Sequence, residues 1–145
     1  MPFSLDLIDA SIIDALDNTV FTAQTIVEQA VIDIKTVKRD SSGRVKTYIA
    51  YQIGDPQPWG ATSFVGPRGD DYVIPIYLRI VTPAPEDGRI LRNFAIDRFL
   101  GLSFPWAGQI RKRVSGGVFP LTKSDGAVEC YITPVSFGIL AQLAT

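Results

Sequence analysis

Histidine is absent from the chain, and cysteine occurs only once, as Cys130. The missing histidine removes the commonest general base, the commonest metal ligand and every serine–histidine or cysteine–histidine nucleophile pair. A single cysteine excludes an intrachain disulfide and a cysteine metal cluster. We therefore predict that Cys130 is a small, buried apolar residue of a late strand.

Charge is also scarce, since 20% of the residues are charged and the net charge is −1. This balance disfavours a strongly basic nucleic-acid binder. With 145 residues, of which 46% are hydrophobic, the chain can bury its own core, and we predict one domain over 1–145. The acidic N-terminus lacks the basic start of a secretory signal, and the uncharged run 130–145 is too short to span a bilayer. The expectation is a soluble protein made in the cytosol, with no membrane contact.

Apolar periodicity predicts the elements of the N-terminal half. Leu5, Ile8, Ile12 and Leu16 recur at helical spacing and predict a helix with one stripe for packing on a sheet. Alternation around a turn signal predicts a hairpin of 31–38 with 44–53, whereas the period of 20–30 is ambiguous. The following long loop, 54–70, is rich in glycine and proline.

The C-terminal half reads as strand, helix and further strands. Residues 71–82 are the strongest strand, and Pro75 inside it predicts an edge or bulged position. A second helix is predicted to start within 83–87, with Pro85 in its first turn, and to end with Gly101 as its C-cap. Three further strands are predicted at 109–114, 117–122 and 127–137, before an apolar tail, 138–145. The fold class is α+β: a mixed, mainly antiparallel sheet with two main helices packed on one face and long hairpin and loop extensions.

Charge is segregated along the chain. Residues 1–34 carry six acidic side chains and no basic one, and the next stretch, 35–46, is basic apart from Asp40. Opposite patches suit head-to-tail contact between identical subunits. A solvated acidic helix beside a solvated hairpin explains the same pattern equally well.

Aromatic and basic residues supply the candidate interface. Trp59 and Phe64 lie in the long loop with Arg68, and these residue types commonly anchor interfaces. The remaining interface candidates are all cationic: Lys38, Arg39, Arg44, Arg111 and Arg113. The basic run 111–113, with Trp106 nearby, is at most a weak groove for nucleic acid, and Trp106 itself fits a core residue better.

No catalytic, cofactor or metal constellation emerges. The pairs Asp70–Asp71 and Glu86–Asp87 are predicted to serve as turn and helix caps, because no further ligand type stands near them in sequence. The tripeptide 68–70 is predicted to be a turn, and Ser103 lacks the second glycine of a nucleophile elbow. We therefore predict no enzymatic activity, no cofactor and no metal.

Three blocks of the sequence together resemble the tail-terminator proteins of long-tailed bacteriophages. They are an apolar strand at 47–51, the strand 71–80 followed by an acidic turn and the helix 90–100, and a final strand at 128–132 after an acidic glycine turn. With the N-terminal helix, the pattern covers most of the chain and depends on order, spacing and size.

The resemblance implies a structural virion protein that forms a homo-oligomeric ring, with six subunits as in that family. Such a ring ends the tail tube at its head-proximal end, after assembly in the host cytoplasm. Its partners would be the tail tube protein and the head connector, with passing contact to DNA in the lumen. Two alternatives stay open: a head-completion or neck protein that joins head and tail, and a small-ligand- or nucleic-acid-binding α+β domain.

Overall fold

The computed structural model describes residues 5–17, 25–55, 57–58, 71–100, 110–115 and 117–142. These ranges contain two helices, α1 (Leu5–Leu16) and α2 (Pro85–Leu100). They also contain seven strands, which are β1 (Ile26–Glu28), β2 (Tyr48–Ile53), β3 (Gln57–Pro58), β4 (Asp71–Thr82), β5 (Ile110–Ser115), β6 (Phe119–Thr122) and β7 (Val128–Gln142).

All seven strands belong to one sheet, whose main path runs β1-β2-β4-β7-β5. The short β3 adds to β4, and β6 adds to β7. Only the β1–β2 pair is parallel among these strands; every other pair is antiparallel. The predicted α+β class, with a mixed but mainly antiparallel sheet, is confirmed.

Both helices pack on the same face of the sheet and close the main core. Ile12 and Leu16 of α1 are fully buried, as the helical stripe predicted. Ala95 and Phe99 of α2 are also fully buried, and the Phe99 ring stacks on Phe137 of β7 with centroids 4.8 Å apart. Fully burying a large apolar side chain stabilises a fold by about 1.5–3 kcal/mol. This face of the sheet is therefore occupied by the subunit's own helices.

Pro75 lies in β4, between β2 and β7, so the edge prediction is wrong because β4 is a central strand. No register shift is recorded for β4 at Pro75, which pairs with Gly138 of β7 in unbroken register, so the alternative prediction of a bulge in this strand is not confirmed. On the other side of β4, regular pairing with β2 ends at Ile53↔Ile76, the position next to Pro75. The Gly54 amide donates to the Pro75 carbonyl at 2.8 Å. In an antiparallel strand the N–H and C=O groups of one residue face the same neighbouring strand, so the N–H that Pro75 lacks would face the β2 side. Regular pairing with β2 has already ended there, so the missing donor interrupts no regular β2–β4 ladder.

The predicted hairpin of 31–38 with 44–53 is wrong in the extent of its strands, whereas its turn is where predicted: Arg39 and Val45 form an antiparallel bridge on either side of Asp40–Gly43. Residues 31–38 contain no strand, and 34–37 form a turn and bend. The Asp33 carboxylate accepts from the amides of Lys35 and Thr36 at 2.8 and 2.9 Å, which supplies the backbone with partners other than a strand. The three-residue β1 pairs with β2 instead, and it resolves part of the ambiguous stretch 20–30 as strand.

The predicted apolar tail, 138–145, is wrong as far as residue 142, because β7 continues to Gln142. Its final residues pair with the start of β4, as in Ile139↔Ile74 and Gly138↔Pro75. The strand therefore gains partners that are distant in sequence and that local patterning does not indicate. Strands β5 and β6 lie close to the predicted positions.

Candidate interaction surface

The described residues cover the second face of the sheet only in part. Residues 29–46, called the cover segment below, lie over the β2 side of this face. Val37 and Val45 of the cover segment are buried against Tyr48, Ala50 and Val81. Cys130 belongs to the same small core and is fully buried, which confirms its predicted role. The remainder of this face carries no helix among the described residues.

Two local devices fix the shape of the cover segment. Asp40 Oδ1 accepts from the Ser42 amide and hydroxyl, and these bonds, the Ser42 hydroxyl foremost, lower the pKa of Asp40. Gly43 has a positive φ of 84°, which favours glycine and closes the turn. At the other end, the Tyr48 hydroxyl donates to Gln29 Oε1 at 2.9 Å, and burial raises the pKa of Tyr48.

Beside the cover segment lies an open groove of about 390 Å³. Its lining is mostly apolar, and two of its aromatic side chains are exposed: Tyr77 by 40% and Phe119 by 55%. Large exposed apolar groups gathered in one concavity are typical of interaction sites. The groove, as the name is used below, is lined by Gln52, Tyr77, Leu78, Arg79, Phe119, Pro134, Val135 and Ser136.

Strand order explains why the groove is open at this place. Strand β5 ends with the pair Ser115↔Val135, and β6 begins with Phe119↔Ile132, so neither strand pairs with Pro134. Proline lacks a backbone donor and is tolerated where a ladder is interrupted. The interruption leaves Pro134 in the floor of the groove and Phe119 at its rim.

Arg79 is the one charged residue that lines the groove. Its Nη1 donates to the Ala30 carbonyl at 2.7 Å, and its Nη2 donates to the Gln29 carbonyl at 2.6 Å. The Nε atom is buried without a hydrogen-bond partner. No carboxylate of the described residues pairs with this guanidinium, and burial lowers the pKa of Arg79. Among the described residues, therefore, its hydrogen-bond partners are all neutral.

The predicted cationic candidates divide between the cover segment and β5. Lys38, Arg39 and Arg44 are exposed in the cover segment. Arg39 is engaged within the subunit, where its Nη1 pairs with Glu129 and also donates to the Gly43 carbonyl. The backbones of Arg111 and Arg113 lie in β5, whose register shifts between Lys112 and Val114, so the predicted regular alternation of 111–113 is interrupted.

The other predicted candidates cannot be located relative to the groove. Trp59, Phe64 and Arg68 lie outside the described residues, as do Asp70, Ser103 and Trp106. Glu86 and Asp87 are exposed in the first turn of α2, where carboxylates suit the helix dipole. This position agrees with the capping role predicted for that pair.

The sequence analysis did not single out the groove residues, although a signal was present. In β4, Ile74, Ile76, Leu78 and Ile80 are fully buried on the helix face. Tyr77 and Arg79 fall on the alternate positions, which a strand sends to the opposite face. A bulky aromatic and a cation on that face are typical neither of a buried core nor of a sheet face exposed to solvent, and they indicate an interaction surface.

One carboxylate–phenol contact lies on the helix face of the sheet. The Tyr51 hydroxyl of β2 bonds to Asp9 of α1, and burial foremost, with that bond next, raises the pKa of Tyr51 to about 12. Asp9 Oδ1 is buried without a partner. Within the described ranges, histidine, cysteine and carboxylate side chains form no group of three that could hold a metal ion.

Comparison of the sequence with models of known protein families finds no match, and comparison with curated proteins finds none either. No helix among the described residues is long and apolar enough to cross a membrane.

Proposed function

We propose that the chain is a structural virion protein whose subunits form a ring, which terminates the phage tail tube and joins it to the head connector. The proposal starts from the resemblance to tail terminators. The blocks that carry it coincide with ordered elements: 47–51 overlaps β2, 71–80 lies within β4 and leads to α2, and 128–132 begins β7.

The single observation that carries the proposal is the exposed groove on the second sheet face, which the described residues cover only in part. Tyr77 and Phe119 of this mostly apolar groove are both exposed to solvent. A subunit in a cyclic ring needs at least one such surface, because each subunit must present a patch to its neighbour's different patch. Tyrosine and arginine are among the residues that most often dominate such contacts.

Two alternatives are kept. A head-completion or neck protein has the same need for a subunit contact, so position in the virion distinguishes it from a tail terminator. A small-ligand-binding domain is favoured by the groove's volume of about 390 Å³, because ligand sites span about 300–1,000 Å³. In the proposed assembly a neighbouring subunit, and not a small ligand, fills the groove. The chain then catalyses no reaction. Its further partners are the tail tube protein, the head connector and, in passing, DNA in the ring lumen.

The test combines sedimentation with thermal unfolding of a double variant, Tyr77→Ser with Phe119→Ser. Both side chains are exposed, so the monomer should unfold within a few degrees of wild type. A central interface aromatic contributes about 2 kcal/mol or more. The double variant should therefore need a concentration at least about 30-fold higher than the wild type to form the oligomer. The matched control is Ile90→Ser, which removes a 65% exposed apolar residue from α2. A wild-type chain that sediments as a monomer at every concentration would overturn the proposal.

A further inference from the structure

We propose that the groove receives helix α1 of a second copy of this chain, so that the acidic end of α1 lies against Arg79. The inference rests on the proposed ring and names the two surfaces that meet in it.

The groove contains a cation that forms no ion pair with a described carboxylate. Arg79 is held by two backbone carbonyls, and its Nε has no partner. A desolvated cation that meets only neutral dipoles is stabilised further by an approaching carboxylate.

Helix α1 contains anions that form no ion pair with a described cation. Its last turn contains no basic residue, and Asp14 and Asp17, at the C-terminal end of the helix, are both exposed. Negative charge at a helix C-terminus opposes the macrodipole, so a cation from a second copy would relieve an unfavourable interaction. Arg98 Nε of α2 donates to the Ala15 carbonyl at 3.2 Å, but neither aspartate forms an ion pair with a described cation.

The two surfaces lie on different parts of one subunit, which is the geometry that a cyclic assembly requires. The groove is on one face of the sheet, and α1 packs on the other face. Helix α1 therefore cannot reach the groove of its own subunit. In the ring, α1 of each copy contacts the groove of the next copy. Ala10 is exposed one helical turn before Asp14, so small and acidic side chains share this side of α1.

The experiment is cross-linking between two differently tagged variants, Ala10→Cys and Ser136→Cys, with a short bis-maleimide. Ala10→Cys keeps both aspartates, and Ser136→Cys is a near-isosteric change in the groove. The native Cys130 is fully buried, so the wild type is the control for background labelling. The comparison pair is Ile90→Cys with Ser136→Cys, because Ile90 is 65% exposed on α2.

We expect mixed dimers of the first pair to exceed those of the comparison pair by at least tenfold, and the excess to fall as salt is raised. Asp14→Lys combined with Asp17→Lys should raise the concentration needed for assembly at least tenfold. If the chain assembles but the two pairs cross-link equally, α1 does not enter the groove and the ring proposal is unaffected. If the chain stays monomeric throughout, this inference and the proposed function both fail.

Discussion

Gly88→Ala in α2 should destabilise the subunit, although the same change in an exposed helix normally stabilises by about 1 kcal/mol. A Cβ built at Gly88 would meet Thr133 Oγ1 of β7 at 2.2 Å and Thr82 Oγ1 of β4 at 3.3 Å. Both threonines are fully buried, and their short side chains cannot swing away. Overpacking of this kind costs about 1–3 kcal/mol, and a 2.2 Å contact belongs at the upper end.

The net expectation for Gly88→Ala is therefore a loss of about 2 kcal/mol, or roughly 8 °C in Tm for a chain of this size. Thr133→Ala should rescue it, because this change removes the clashing Oγ1, an atom that is buried without a hydrogen-bond partner. The assay is a double-mutant cycle by thermal and urea unfolding.

Asn93→Ala is the matched control for Gly88→Ala, since Asn93 is exposed on the same helix and its change should stabilise slightly through helix propensity. A Gly88→Ala variant at least as stable as wild type would refute the packing of α2 on β4 and β7. A double variant with no recovery would show that the cost arises elsewhere than at Thr133.

Two further predictions concern pH. The pKa of Tyr51 is raised from 10.0 to about 12 in the folded state. The contribution of Tyr51 to folding stability is therefore fully present below the unfolded pKa and is lost as pH rises through the folded pKa. Urea unfolding between pH 9 and 12 should therefore show a decline that Tyr51→Phe reduces, and equal declines in both proteins would contradict the contact with Asp9. The hydrogen bond from Arg39, and next the one from Lys123, lower the pKa of Glu129. The contribution of Glu129 to folding stability is therefore present above its unfolded pKa and is lost as pH falls through its folded pKa. Glu129→Gln should flatten the acid limb of the stability curve and should leave the alkaline limb unchanged.

The fold was predictable where the signal is local. Strand β4 has the predicted bounds, and α2 begins within the predicted segment 83–87, because alternation, Pro85 and the acidic first turn act within a few residues. The strands of the hairpin were predicted too long because their pattern of β-branched residues does not reveal that Asp33 caps the backbone nearby. The end of β7 was missed because its partners in β4 lie about 60 residues away.

The candidate surface was predictable only in part. Alternation in β4 separates Tyr77 and Arg79 from the buried isoleucines, so these two residues could have been found from sequence. The exposure of Phe119 depends on the end of β5 and on the position of Pro134, which are properties of the assembled sheet. Trp59, Phe64 and Arg68 stay predictions, and Trp59→Ala is expected to leave a folded subunit with weakened assembly.

The most direct test of the central claim is electron microscopy of the purified chain at a concentration where sedimentation detects an oligomer. We expect closed rings with a central lumen and six subunits, as in the tail terminators that the sequence resembles, and we expect the rings to be lost in the Tyr77→Ser, Phe119→Ser variant. Compact monomers, or open filaments formed by the same contact without closure, would contradict it.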